Sequence, residues 1–228
     1  MLVKREFIEA YFKSWDEKLE RAKTLAYLED YCYEGVLVLL YHISAFSAMR
    51  YPSYEDGVAY KKMLLEYSGM KDLYAQIDLL YLYQWPRSDF KDNGNYKKLK
   101  NYDEIKSTLI SIYGEEEEID YDKRFINQDE LISHVVNAKI AGFDLENFRS
   151  KLPLFSLAEI TYRYVRCGAV HNGRLSFINT DADRDCEDGY IITKEILYET
   201  AVNIKDNLAD ECIRLNKWPN EIENAQLE

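Results

Sequence analysis

Apolar residues recur at three- and four-residue steps over most of this chain, the period of helices that bury one face. Residues 4–29 carry Phe7, Tyr11, Leu19, Ala22, Leu25 and Ala26 on such a face. Residues 31–50 are apolar nearly all round, which predicts a central helix ended by Pro52. Ser53 and Asp56 read as the N-terminal cap of a helix over 54–68 that Gly69 stops. Residues 71–85 predict one further helix before Pro86, and 86–101 have loop chemistry. Helices are predicted over 103–113 and 129–141, with another turn or two over 144–151. Thr193 is placed to cap the last helix, 194–216, in which Leu197, Ala201, Ile204, Leu208, Cys212 and Leu215 recur. At about 1.5 Å per residue that helix is roughly 34 Å long, enough to pack along a bundle or to pair with a second chain.

Three stretches depart from this period. Residues 174–192 (RLSFINTDADRDCEDGYII) hold two short extended runs around a polar connection, the place where a short β-hairpin is expected. Asp181, Asp183 and Asp185 imitate a calcium loop, but Cys186 stands where glycine is needed and Ile192 where glutamate is needed. An acidic hairpin tip is the better reading. Glu115, Glu116, Glu117 and Glu118, followed by Asp120 and Asp122, are consecutive and point around a helix or into water, which reads as a solvated charge run. Neither stretch is expected to hold a metal. The acidic tail, 217–228, is expected to be loose. The fold class that emerges is an all-α antiparallel helical bundle, with one domain over 1–228 as the expectation from length.

Composition narrows the class. Apolar residues make up 47% of the 228 and charged residues 31%, the values of a folded domain. The formal charge of −12 argues against a non-specific nucleic-acid coat protein, though not against a small basic cleft. The twenty tyrosines read mostly as amphipathic packing residues, with a minority free for base stacking. Cys32, Cys167, Cys186 and Cys212 lie far apart without a C-x-x-C pair, which fits a reduced, cytoplasmic protein. The start, MLVKREFIEAYFKSW, has no apolar run of the signal-peptide kind. The most hydrophobic segment, 35–49, is shorter than the roughly 20 residues of a membrane span and contains His42, so a buried core helix is expected and no membrane partner.

Residues 154–174 (LFSLAEITYRYVRCGAVHNGR) concentrate the candidate chemistry. Ser156 and Glu159 have capping-box spacing, and Gly173 is placed to stop the helix. Glu159 and Arg163, four apart, read as a surface ion pair. Arg166 has Tyr162, Arg163, Ala169 and Val170 as its helical neighbours, so no carboxylate lies within local reach. His171 follows Gly168 and Ala169, small residues beside which a ligand backbone could pass. From 149 to 174 five basic residues (Arg149, Lys151, Arg163, Arg166, Arg174) face one acidic one, Glu159, a local balance of +4 that favours an anion as ligand. Against this stands the plain reading of Arg166 as a binder of helix carbonyls or of a distant acid, and of His171 as a C-terminal helix cation. His42 reads as a core histidine bonded to a backbone carbonyl, His134 as exposed, and Cys167 as a packing residue.

Arg166-Cys-Gly-Ala-Val-His171, late on a helix of an all-helical chain, resembles the Arg-x(4–6)-His signature of the HEPN superfamily. The resemblance implies a HEPN-like helical bundle and a metal-independent endoribonuclease leaving a 2′,3′-cyclic phosphate and a 5′-hydroxyl, of the kind found in toxin–antitoxin pairs and antiphage defence. It implies Arg166 and His171 as catalytic residues, with Arg163, Asn172 and Arg174 as secondary phosphate or sugar contacts, no cofactor, and RNA as partner. It also implies a homodimer with a composite site and an inhibitor or regulatory protein as a further partner. Other members are inactive modules that bind a nucleotide or a protein, and that alternative stays open here. Cys167 stands where many members carry Asn or Asp, and Gly173 where one toxin subclass carries a modified tyrosine. Five residues at about 100° each put Arg166 and His171 roughly 140° apart on an unbroken helix. Convergence on one phosphate then calls for a helix loosened near Gly168 or for two chains sharing a cleft.

Overall fold

The computed structural model describes residues 2–84, 99–119, 121–173, 178–179 and 192–222. In chain order the helices are α1 (Leu2–Tyr27), α2 (Cys32–Arg50), α3 (Asp56–Tyr67), α4 (Lys71–Tyr74), α5 (Leu79–Gln84) and α6 (Tyr102–Tyr113), followed by α7 (Tyr121–Arg124), α8 (Gln128–Asn137), α9 (Leu145–Lys151) and α10 (Leu157–Ile160). A π-helical segment, Thr161–Arg166, leads into α11 (Cys167–Asn172), and α12 (Lys194–Leu215) is the last long helix. The strands β1 (Ile77–Asp78), β2 (Phe125–Ile126), β3 (Ile178–Asn179) and β4 (Ile192–Thr193) have two residues each. The fold is all-α. Its contacts divide the chain into two compact units, Met1–Lys71 with Thr161–Glu228, and Asp72–Ile160, so the domain expected over 1–228 is organised as one discontinuous unit and one continuous one.

In the first unit α1 and α2 form an antiparallel pair, because Trp15 meets Phe46 and Tyr11 meets Met49 while Ala26 lies beside Gly35. A Cβ on Gly35 would come within 2.0 Å of the Ala26 backbone nitrogen, so glycine sets how closely these helices approach. α12 runs antiparallel to α1, fastened by the ion pair of Lys205 with Asp16 and by the Tyr198 hydroxyl on Glu20. α3 is held to α12 by Asn203 and Asn207, whose amides donate to the carbonyls of Ser68 and Tyr67. Val36, Leu39, Leu40, Ile43 and Phe46 of α2 are fully buried among these helices.

Several expectations need correction here. α2 is not buried all round: Tyr41 is 66% exposed and Ala48 is exposed too. Residues Glu29–Arg50 are long and apolar enough to cross a membrane by length and composition, with 44% of the apolar window buried in the fold. The N-cap position of α3 is Glu55, not Ser53, and its side chain makes no capping bond. The tail is docked as far as Ile222: Trp218 packs edge-on against Tyr11, Glu221 pairs with Lys4 at 2.6 Å, and the Ile222 carbonyl accepts from Arg50. Residues 223–228 lie outside the described residues. So does most of 174–192, including Asp181, Asp183, Asp185 and Cys186. What is described there pairs Ile178 with Ile192 and Asn179 with Thr193 in parallel, which is not hairpin pairing.

The second unit has its own core, in which Ile77, Leu79, Leu82 and Tyr83 meet Ile105, Leu109, Leu131, Phe148 and Phe155. The single helix expected over 71–85 is broken into α4, β1 and α5. β1 pairs antiparallel with β2, and the Gln76 carbonyl accepts from the Leu157 N–H. Asp78 ends β1 and opens α5, its carboxylate accepting from the Tyr81 N–H at 3.1 Å and from Arg124 Nη2 at 2.8 Å. These non-local bonds outweigh the helical period. The acidic run is used locally: the Glu118 side chain accepts from the Glu115 N–H, and Glu116 pairs with Lys106 at 2.8 Å.

A candidate anion site around Arg166

The helical stretch begins as expected, with Ser156 Oγ accepting from the Glu159 N–H at 3.2 Å ahead of α10. Glu159 is only 3% exposed, so its carboxylate is not at the surface. From Thr161 to Arg166 the backbone widens to π geometry, in which each N–H reaches five residues back. Gly173 ends α11 at φ +61° with its N–H on the Gly168 carbonyl, a conformation suited to glycine. The loosening therefore precedes Arg166 instead of falling at Gly168. Arg166 and His171 remain separated by α-helical steps, roughly 140° of rotation.

Gly168 and Ala169 are buried, and the Tyr33 hydroxyl donates to the Ala169 carbonyl at 2.7 Å. Both small residues are therefore covered, not part of an open surface. Val170 and His171, on the other side, are exposed.

Arg166 does have an acidic partner, 110 residues away in sequence. Its Nη2 lies 3.0 Å from Asp56 Oδ2 at the start of α3. Nε reaches Ser44 Oγ on α2 at 3.4 Å, Nη1 lies 3.7 Å from Cys167 Sγ, and the guanidinium carbon sits 5.5 Å from the centre of the Tyr162 ring. The Tyr162 hydroxyl donates to the same Asp56 oxygen at 3.0 Å. A Cβ on Gly57 would meet Tyr162 Cε1 at 2.7 Å, so the ring lies close against backbone that only glycine leaves open. Burial, and after it the Asp56 carboxylate, push the Tyr162 hydroxyl pKa up. Burial works against the Arg166 charge, but Cys167 and then Asp56 outweigh it and raise its pKa.

Among the described residues the cation thus has three polar contacts and one aromatic one, and 17% of its side chain meets solvent; the Asp56 side chain is 52% exposed. Asp56, Tyr162 and Ser44 are the functional candidates that sequence reasoning missed. Tyr162 was visible as a helical neighbour of Arg166, whereas nothing in local spacing points to Asp56 or Ser44.

Of the other predicted site residues, Arg163 is half-buried in the π segment, Arg174 lies outside the described residues, and of Asn172 only the backbone, in α11, is described. Arg149 and Lys151 belong to the second unit, so the basic run counted along the chain is split between the units. His42 is 7% exposed; among the described residues neither ring nitrogen makes a well-aligned hydrogen bond, while the Lys18 backbone acts on the ring in the sense of the expected carbonyl bond. Burial, and then the Lys18 ammonium, lower its pKa. His134 is half-exposed, 3.6 Å from Glu130, and edge-on to Tyr113. Among the described residues no three His, Cys, Asp or Glu side chains converge as metal ligands. No family model matches this chain, and neither the curated proteins nor the solved structures contain a match to it.

Proposed function

We propose that the chain is a HEPN-type, metal-independent endoribonuclease of the cytoplasm, acting as a toxin or antiphage effector, with Arg166 and His171 as its catalytic pair. The observation that carries this reading is a pinned, half-buried guanidinium whose Nη2 faces a solvent-exposed carboxylate, five residues before an exposed histidine. Arginine's planar fork is fitted to a phosphodiester and does not lose its proton at neutral pH. Imidazole titrates near neutrality and can move the proton that the reaction needs. The 2′-oxygen bonds to phosphorus as the bond from phosphorus to the 5′-oxygen breaks. His171 takes the 2′-hydroxyl proton or supplies the one that the leaving oxygen gains. Arg163, Asn172 and Arg174 serve as secondary contacts.

A homodimer completes the proposal, since the two side chains diverge on one helix. Tyr41 shares α2 with Ser44, and Val170 lies on α11 one turn after Arg166; 66% and 47% exposed, they support a second copy docking at this face. RNA incubated with the protein in EDTA is expected to acquire cyclic-phosphate ends. Arg166→Ala and His171→Ala are each expected to lower cleavage by about a hundredfold or more while leaving the helical circular dichroism unchanged. Mixing these two inactive variants tests the shared cleft. If each site takes Arg166 from one chain and His171 from the other, about a quarter of the sites are restored; no recovery rejects the composite site. The Asp56 contact favours one alternative, an inactive module whose arginine is structural. Wild-type protein that binds a nucleotide or protein partner as a dimer and leaves RNA intact would establish that reading.

A further inference from the structure

An oxygen atom held by two fixed donors marks where an anionic oxygen is stabilised. Asp56 Oδ2 is such an atom, 3.0 Å from both Arg166 Nη2 and Tyr162 Oη. The donors are the rigid side of this contact: Arg166 is tied to Ser44 and Cys167, and the Tyr162 ring is wedged against Gly57. The carboxylate is the movable side, since more than half of its side chain is exposed and its departure into water buries no charge. Asp56 stands in the first turn of α3, where Glu55 makes no side-chain cap.

We propose that the point now taken by Asp56 Oδ2 is a phosphoryl-oxygen subsite, with Tyr162 Oη and Arg166 Nη2 as its donors and Asp56 as its internal competitor. This rests on the ribonuclease reading and adds to it two residues, one that binds the phosphate and one that must yield to it. A phosphate has more oxygens than a carboxylate and can take the arginine fork and the phenol together. Competition with Asp56 makes weak anions poor ligands and reserves the site for one anchored by further contacts along a chain.

Inorganic phosphate titrated into ¹⁵N,¹³C-labelled full-length protein tests this, read on the Arg166 Nε–Hε resonance, which Arg166→Lys identifies by removing it. The wild type is expected to show a saturable shift, with the Asp56 side-chain carboxyl ¹³C resonance moving in step as the carboxylate leaves. Asp56→Asn is expected to lower the midpoint about two- to fivefold, the worth of a half-exposed ion pair. Tyr162→Phe is expected to raise it about tenfold, the worth of a hydrogen bond to a charged group. An Asp56→Asn midpoint equal to or above wild type overturns the proposal, as does a Tyr162→Phe midpoint that does not move. If either variant fails to fold, the wild type decides alone: an Arg166 shift without a parallel Asp56 shift rejects the competition. A protein that binds phosphate in this way but spares RNA keeps the subsite and loses the ribonuclease; one that cleaves RNA with no phosphate response at Arg166 does the reverse.

Discussion

Two arginine–aspartate pairs in this chain look alike in sequence and differ in kind. In the second unit Arg124 meets Asp78 through Nε at 3.0 Å and Nη2 at 2.8 Å, with the two side chains 13% and 2% exposed. In the first, Arg166 meets Asp56 through one nitrogen, and the carboxylate is half in water. The first pair is closed on both sides, because Asp78 also accepts from the Tyr81 N–H where β1 passes into α5. The second is closed only around the cation. A sealed pair holds a fold; a pair with one exposed member holds a charge ready and leaves its counter-ion replaceable.

The largest effect expected from breaking this comparison is on stability. Asp78→Ala removes the carboxylate from a mostly buried guanidinium and should cost about 3–5 kcal/mol, whereas Asp56→Ala should cost about 1 kcal/mol or less. Urea unfolding followed by circular dichroism measures both. Equal losses would mean that the exposure difference does not separate structural from functional pairs here.

Next in size is the change from arginine to lysine, which keeps the charge and removes the fork. Arg166→Lys is expected to lower RNA cleavage about tenfold or more with little change in the unfolding midpoint, while Arg124→Lys should destabilise. Cleavage that survives Arg166→Lys intact would remove the phosphate-ligand role from the guanidinium geometry.

What could be read in advance follows the range of the interaction. α1 and α12 are long and periodic and α2 is long and apolar, so their existence needs no partner to be seen, and Thr193 and Ser156 cap as local chemistry dictates. The break at 77–78 could not be read, because Asp78 finds Arg124 46 residues on, and the helical period of 71–85 carries no trace of it. For the same reason Arg166 looks like an uncompensated cation in sequence: the rule of three and four residues finds only neighbours on its own helix, and Asp56 comes from α3. Twenty tyrosines likewise read as packing, yet in the fold Tyr51, Tyr67, Tyr162 and Tyr198 each set a hydroxyl against a carboxylate. Three of those carboxylates, Glu66, Glu211 and Asp56, also face a base, so phenol and cation share them.

His42 adds a third case to the comparison, a buried titratable ring with no counter-ion. It lies edge-on to Trp15 at 5.2 Å and faces Lys18 from α1, so charging it is opposed by burial and by a like charge. Its folded pKa is below the unfolded value of about 6.5, so the unfolded chain binds the extra proton first. Stability from this site is complete above pH of about 6.5 and is lost as pH falls through the lowered folded pKa, by at most about 1.4 kcal/mol per pH unit. The unfolding free energy should fall more steeply between pH 6.5 and 5 in the wild type than in His42→Phe. Identical slopes would place the acid sensitivity elsewhere.

The smallest expected effect is the most discriminating. Asp56→Asn keeps the shape of the side chain and removes its charge, so the Tyr162 and Arg166 contacts can persist at neutral strength and the unfolding free energy should move by no more than about 1 kcal/mol. Binding should move the other way. With the internal anion gone, Arg166 presents a full positive charge to a phosphate, and RNA affinity should rise while its dependence on salt steepens by about one counter-ion. A structural pair cannot do this, since removing either of its members only loses stability. Anisotropy of a labelled oligouridylate at several salt concentrations reads both quantities. An unchanged salt slope, with RNA bound no tighter, would class Arg166 with Arg124 as a strut, and would leave the exposed face of α11 without a phosphate ligand.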